Sequence, residues 1–297
     1  MILEKRIPLR YLFNLAKVDL LIVLLVSSAM TFVTNYFNIE YDFPISIPAF
    51  LGTAITLVLS FKLNQSYDRW WEARKIWGAI VNDSRSLIVQ LIEFTDEPEN
   101  KLVREIGQLQ IAWCYSLANA LRKLPPAQQA EDLIPDSEWS KIVKQDNIPL
   151  GIHVAIAKRV NQLRAEDKLN AYQQVQIDET LVRLTASMGM AERIKNTVFP
   201  KKYRLFLHFF IYIFIGTLDI AITGLIHTIF EVPLVVIIAL PFFMLEKTAL
   251  GLQDPFENRP NDTAMSTIST AIDRNIRQLL DLPGQPDPLE SDSFYAM

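Results

Sequence analysis

This chain of 297 residues is poor in the side chains that most catalysis and metal binding require. It has one cysteine, Cys114, so no intrachain disulfide can form. Its three histidines are His153, His208 and His227. They lie far apart and two fall in apolar stretches, so a metal site built from them is not expected. His208 reads as an interfacial or packed histidine. No G-x-x-x-x-G-K-[ST], H-E-x-x-H, G-x-S-x-G or C-x-x-C motif occurs. There is no excess of positive charge: 29 Lys and Arg against 33 Asp and Glu leave a net charge of −4. That excludes the basic footprint of a nucleic-acid binder. Strand signals are weak and no segment is of low complexity. These absences argue for passage, anchoring or signalling, with no enzyme activity and no cofactor.

What the chain does have is apolar length. Half its residues are hydrophobic and 21% are charged, with a mean hydropathy of +0.17. Both hold if the chain is divided into membrane and aqueous parts. Leu20 to Ile39 gives 20 uncharged residues, and Phe43 to Phe61 gives 19 more. Each can cross a hydrocarbon core about 30 Å thick as a helix. Pro44 and Pro48 set the start of the second helix near Pro48, since proline is tolerated in a first turn. Two later runs complete a set of four spans. Leu205 to Leu218 is interrupted by Asp219, and Val232 to Leu245 by Glu246. The basic start and long first run are not read as a cleaved secretory signal, because no clean cleavage site follows and more spans come later.

Basic residues cluster beside only one end of each span. Lys5, Arg6, Arg10 and Lys17 precede the first, Lys62, Arg69, Arg74 and Lys75 follow the second, and Lys201, Lys202 and Arg204 precede the third. The loop between spans one and two carries only Glu40 and Asp42. Both termini and the middle of the chain are therefore expected in the cytoplasm. The expected division is 1–63 for the first two spans (pore helix about 48–63), 64–204 for a cytoplasmic helical region, 205–252 for spans three and four, and 253–297 for a C-terminal helix and tail. Apolar residues recur at helical spacing in SLIVQLIEF, IGQLQIAWCYSLANAL, VAIAKRVNQL and IDETLVRLTASMGM. Asn261 or Asp262 is placed to cap a last helix that ends before Pro283 and Gly284. The fold class is all-α.

The second span is followed at once by NQSYDRWWEARKIWGAIVNDSR, the most aromatic and most charged stretch of the chain. A helix over Thr53–Trp77 meets no proline and would be about 37 Å long. Thr53, Leu57 and Phe61 share one of its faces. Repeated around an axis, they would stack hydroxyl, leucine and phenylalanine rings, and apolar rings can gate by dewetting. Ordinary apolar packing is the competing reading, because a span apolar all round does not reveal a pore face. Further on, Trp70, Arg74 and Trp77 share a face suited to cation–π contact, and Glu72 and Lys75 are i, i+3 partners. These tryptophans lie too far past Phe61 to serve first as a membrane belt. They are expected to brace the helix.

GTAITLVLSFKLNQSYDRWWEARKIWGAIVNDSR resembles the signature of the bestrophin family, in its bacterial branch; the matching positions include Tyr67, Asp68, Arg69, Trp70, Glu72, Arg74 and Trp77. MGMAERIKNTVFPKKYRLFLHFF and LEKTALGLQDPFENRPND are similar to two further family segments. The resemblance implies a homopentameric ion channel in a bacterial inner membrane, with four membrane helices per subunit, a helical cytoplasmic region and one axial pore. It implies a neck at Thr53, Leu57 and Phe61 and a cytoplasmic aperture within NAYQQVQ, with Tyr172 its nearest match. Partners are then further copies of the chain, lipids and the permeating ions. Family precedent gives chloride first, with monovalent cations (Na⁺ or K⁺) as the alternative and a non-conducting scaffold or sensor as the rival of another class. Eukaryotic relatives bind calcium after the corresponding D-P-F. Here Gln253-Asp254-Pro255-Phe256-Glu257-Asn258-Arg259 lacks the run of acids. Asp254, Glu257, Asn261 and Asp262 are the oxygen donors available, and a tight Ca²⁺ site, which needs 6–8 oxygens, is not expected.

Overall fold

A computed structural model describes residues 8–37, 42–97, 100–197, 200–223, 225–289 and 295–296. Ten helices and no β-strand occur among them. They divide between two units.

The first unit comprises Glu4–Arg69 and Val198–Asp254. It holds α1 (Leu9–Phe37), the first part of α2 (Ser46–Thr95), α8 (Lys201–Ile222) and α9 (Thr228–Gln253). All four helices are long and apolar enough to cross a membrane. α9 packs against both α1 and α8, around a core that includes Leu20, Ile55, Leu59, Ile211, Phe214 and Phe243. The two charges expected to interrupt the spans lie inside the helices, Asp219 in α8 and Glu246 in α9; both are buried, as is Asp19 in α1. Asp219 is tolerated because the Ser27 hydroxyl donates to it at 2.8 Å. α9 also carries Pro233 and Pro241, as membrane helices tolerate when neighbours satisfy the freed carbonyls.

α2 begins at Ser46, two residues before Pro48, and runs unbroken for 50 residues. The second span and SLIVQLIEF are thus one helix, about 75 Å long. No glycine or proline interrupts it beyond Gly52 until Gly78. At Gly52 a β-carbon would stand 2.9 Å from the Phe214 ring, so glycine there permits close approach of α8.

The second unit comprises chiefly Trp70–Thr197 and Pro255–Met297. α3 (Lys101–Arg122) is its axis and packs on α4 (Gln128–Leu133), α6 (Ile148–Ala165), α7 (Ala171–Asn196) and α10 (Met265–Leu279). α5 (Asp136–Ile142) packs on α6. Residues from Leu109 to Ala118 of α3 are all buried, which the expected one-sided pattern did not anticipate. A helix surrounded by neighbours has no polar face to keep in water. Of its buried polar members, Gln110 donates to Ser84 at 2.9 Å. Cys114 sits in the same core, where burial pushes its thiol up to about 12. α10 is capped at Ala264 with no side-chain hydrogen bond, so neither Asn261 nor Asp262 caps it. Asp262 is instead buried in the preceding turn.

Candidate functional site

In the membrane unit, the buried positions of α2 are Pro48, Gly52, Ile55, Leu59, Lys62 and Ser66. At about 100° per residue these form one stripe facing α8 and α9. Thr53, Leu57 and Phe61 fall on the opposite side of the helix, about 180° away. Leu57 and Phe61 are each 59% exposed. The Thr53, Thr56 and Ser60 hydroxyls donate to carbonyls four residues back at 2.7–2.9 Å. Just below Phe61, Lys62 is fully buried. Its ammonium donates to Gln253 at 2.7 Å and lies 5.4 Å from the centre of the Tyr203 ring.

The signature stretch divides by role. Arg69 lies 3.7 Å from Asp254. Glu72 and Lys75 pair at 2.6 Å as expected. Trp77 is fully buried in the core of the second unit. Trp70 donates to the Asn261 carbonyl at 2.8 Å and stacks on Trp71. Among the described residues no Arg74 guanidinium is recorded over either indole, so the expected cation–π pair is not what holds this face. Tyr67 and Asp68 are exposed. Tyr172 stands in the first turn of α7, behind a capping box of Asn170 and Gln173, and is 88% exposed.

Two of the calcium candidates, Asp254 and Glu257, are engaged with cations, whereas Asn261 Oδ1 is buried without a hydrogen-bond partner among the described residues. Asp254 faces Arg69 and accepts from Gln253 at 3.2 Å. Glu257 faces Lys195 at 2.8 Å. Asn261 gives its carbonyl to Trp70. Burial pushes the Asp262 carboxyl up from the usual carboxylate range. Among the described residues no three His, Cys, Asp or Glu side chains gather as a metal ion requires.

The family model described as Bacterial/Fungal Bestrophin protein matches residues 14–278. The chain belongs to the bestrophin family. It is 30% identical over 247 residues to a voltage-dependent anion channel-forming protein of Ralstonia nicotianae, covering 82% of this chain and 80% of that one. To the voltage-dependent anion channel-forming protein of Escherichia coli K12 it is 29% identical, over 99% of this chain and 92% of the other. A crystal structure of a bacterial bestrophin homolog from Klebsiella pneumoniae, with one substitution, matches at a TM-score of 0.82 and 27% identity, covering 88% of this chain and 97% of that one. Another, solved by zinc phasing, matches at 0.79 and 26% over 89% and 99%. The resemblance seen in the signature stretch therefore holds, as does the all-α membrane fold.

This bestrophin also contains a polar group that the sequence reading missed. His208 stands between Glu246, at 2.9 Å, and Asp19, at 3.5 Å. Lys247 and Tyr212 close on Asp19 at 2.8 and 3.0 Å. A packed or interfacial histidine was expected instead. The signal available was Asp19, Lys247 and Glu246, charges retained at the ends of apolar runs, which are costly in a bilayer unless paired. The other two histidines lie apart from it: His153 in α6 and His227 at the N-cap of α9.

Proposed function

We propose that this bestrophin subunit assembles with four further copies of itself into a channel that passes small anions, chloride first, down their gradient. The observation that carries the reading is the row Thr53, Leu57 and Phe61, set opposite the stripe by which α2 joins its own bundle. That row is the side of α2 free to line an axis. Five copies would give stacked hydroxyl, leucine and phenylalanine rings, an apolar constriction that opens and closes by wetting. Such rings carry no fixed charge, and the positive edge of an aromatic ring favours anions weakly. The names of the anion channel-forming relatives support the same ion. Tyr172, standing free at the start of α7, fits a second constriction.

The proposal places the chain in a bacterial inner membrane with both termini in the cytoplasm, following its basic residues. Segments 1–63 and 205–252 would supply the spans, and 64–204 and 253–297 the aqueous part. It assigns no enzyme activity and no calcium requirement. A cation channel is the second reading, and exposed Asp42 favours it. Its loop partner Glu40 lies outside the described residues. Purified protein in liposomes under a KCl gradient decides. A reversal potential near that of chloride supports the anion channel, and one near that of potassium replaces it with the cation channel. Phe61→Ala should raise flux by widening the apolar neck. Unaltered flux in that variant would remove Phe61 from the neck, and absence of any flux from folded protein would favour a scaffold.

A further inference from the structure

Three helices of the membrane unit bring five titratable side chains together, away from the Thr53–Phe61 row. α1 contributes Asp19, α8 contributes His208 and Tyr212, and α9 contributes Glu246 and Lys247. Asp19 and Glu246 are buried. His208 Nδ1 is 2.9 Å from Glu246 Oε2 and 3.1 Å from Oε1. Its Nε2 is 3.5 Å from Asp19 Oδ1. The Tyr212 hydroxyl donates to Asp19 Oδ1 at 3.0 Å, and Lys247 Nζ is 2.8 Å from Asp19 Oδ2. The rings of Tyr212 and Phe243 meet the imidazole edge-on, with centroids at 5.1 and 5.9 Å. Lys62 of α2 adds a positive charge within electrostatic reach of Glu246.

A neutral imidazole has one N–H and one lone pair, whereas an ionised carboxylate only accepts. With a carboxylate at each ring nitrogen, a neutral His208 would turn a lone pair toward one of them. The imidazolium alone satisfies both. Lys247 and Lys62 are the fixed positive charges near the two carboxylates, and charge left unpaired in an apolar bundle is costly. His208 is about a third exposed in the single chain.

The same helices hold the proposed pore helix. The Tyr203 hydroxyl of α8 donates to the carbonyl of Val58, next to Leu57, at 3.4 Å. Lys62, next to Phe61, is held by Gln253 of α9 and by the Tyr203 ring. Gly52 of α2 lies close against Phe214 of α8. A shift of α8 or α9 is therefore passed to α2 at the levels of Leu57 and Phe61.

We propose that His208, between Asp19 and Glu246, is a proton-binding site that ties α8 to α1 and α9 and makes ion flux through this channel depend on pH. The proposal rests on the reading of α2 as the pore helix. Flux is measured with full-length protein in liposomes, with equal pH on both sides, from about pH 5 to pH 8, the range in which histidine changes charge. Wild-type flux should differ by about fivefold or more between the ends of that range, the lower end of an ordinary coupling between sites. His208→Gln should give a flat profile. A conducting wild type with a flat profile, or a His208→Gln variant that keeps the wild-type profile, overturns the proposal.

If His208→Gln does not assemble, Glu246→Gln decides, because it removes the carboxylate bonded to Nδ1 of the ring. The pH profile of flux should then differ from that of the wild type, and an unchanged profile overturns the proposal. A readout independent of conduction separates this from the pore reading. With Cys114 buried, a Leu57→Cys variant can be labelled selectively with a thiol reagent. Its labelling rate should vary with pH differently with and without His208→Gln. Identical profiles would sink the proton site even if Phe61→Ala upholds the pore, and different profiles would uphold the site even if no flux is found.

Discussion

His153 lies in α6, buried beside Trp113, with its Nε2 2.9 Å from the Thr185 hydroxyl. Burial lowers its pKa below the usual 6.5, because the charged ring is disfavoured away from water. The sign of the consequence follows from linkage. Below about pH 6.5 the unfolded chain takes up a proton that the native protein does not, so native stability falls as pH falls toward the lowered native value. Above the unfolded value the contribution vanishes. His153→Gln should therefore narrow the gap between melting temperatures measured at about pH 7.5 and pH 5.5. An unchanged gap would mean that other groups set the acid sensitivity. Arg159 shows the opposite arrangement. Its bidentate hydrogen bonds to Glu138, with Glu105 at 3.3 Å, push its pKa up and fix the charge. None of this was legible in the sequence, which shows three scattered histidines and no partners.

Along α2, the tryptophans of the signature stretch do two kinds of work, and substitutions should separate them. Trp77 is sealed in the core of the second unit, so Trp77→Ala should cost about 3–5 kcal/mol and cut the yield of folded protein. Trp70 is only partly buried and its main polar contact is the Asn261 carbonyl. Trp70→Phe should cost about 1–2 kcal/mol, mostly the lost hydrogen bond and a carbonyl left unpaired. Thermal melts of the two variants, with ion selectivity unchanged in Trp70→Phe, would check both. A large selectivity change in Trp70→Phe would contradict a bracing role. The sequence was informative about this helix where its pattern was chemical. The glycine- and proline-free run announced one continuous element, and the signature residues announced the family. Which side of it faces away from the bundle was not legible from hydropathy, because Leu57, Phe61, Leu59 and Ile55 are equally apolar. Only the burial of Ile55, Leu59 and Lys62 distinguishes one side from the other. The ends of α8 and α9 were misjudged for a related reason. Asp219 and Glu246 looked like interruptions, but each has a partner on another helix.

For the molecule as a whole, the second unit leaves apolar side chains uncovered where water is the solvent. On α7, Val175 and Val182 share one face and are 58% and 66% exposed. Isolated exposed valines need no explanation, but a row of them on one helix marks a surface that another surface covers. Neighbouring copies of the chain supply that cover if the subunit assembles around an axis. The exposed face also carries Asp178, Glu179 and Arg183, and Arg183 is 2.8 Å from Asp83 of the same chain. Replacing Val182 by glutamate should leave the helix intact, since glutamate is a good helix former. It would place a charge in the covered surface of every copy. Light scattering after size exclusion in detergent should give a wild-type protein mass of about five chains of 34.0 kDa and a shift of Val182→Glu toward smaller species, at unchanged helix content by circular dichroism. A wild-type mass of one chain would remove the axial pore. An unchanged Val182→Glu mass, with a reversal potential displaced toward cations, would place Val182 on the ion path instead of between subunits.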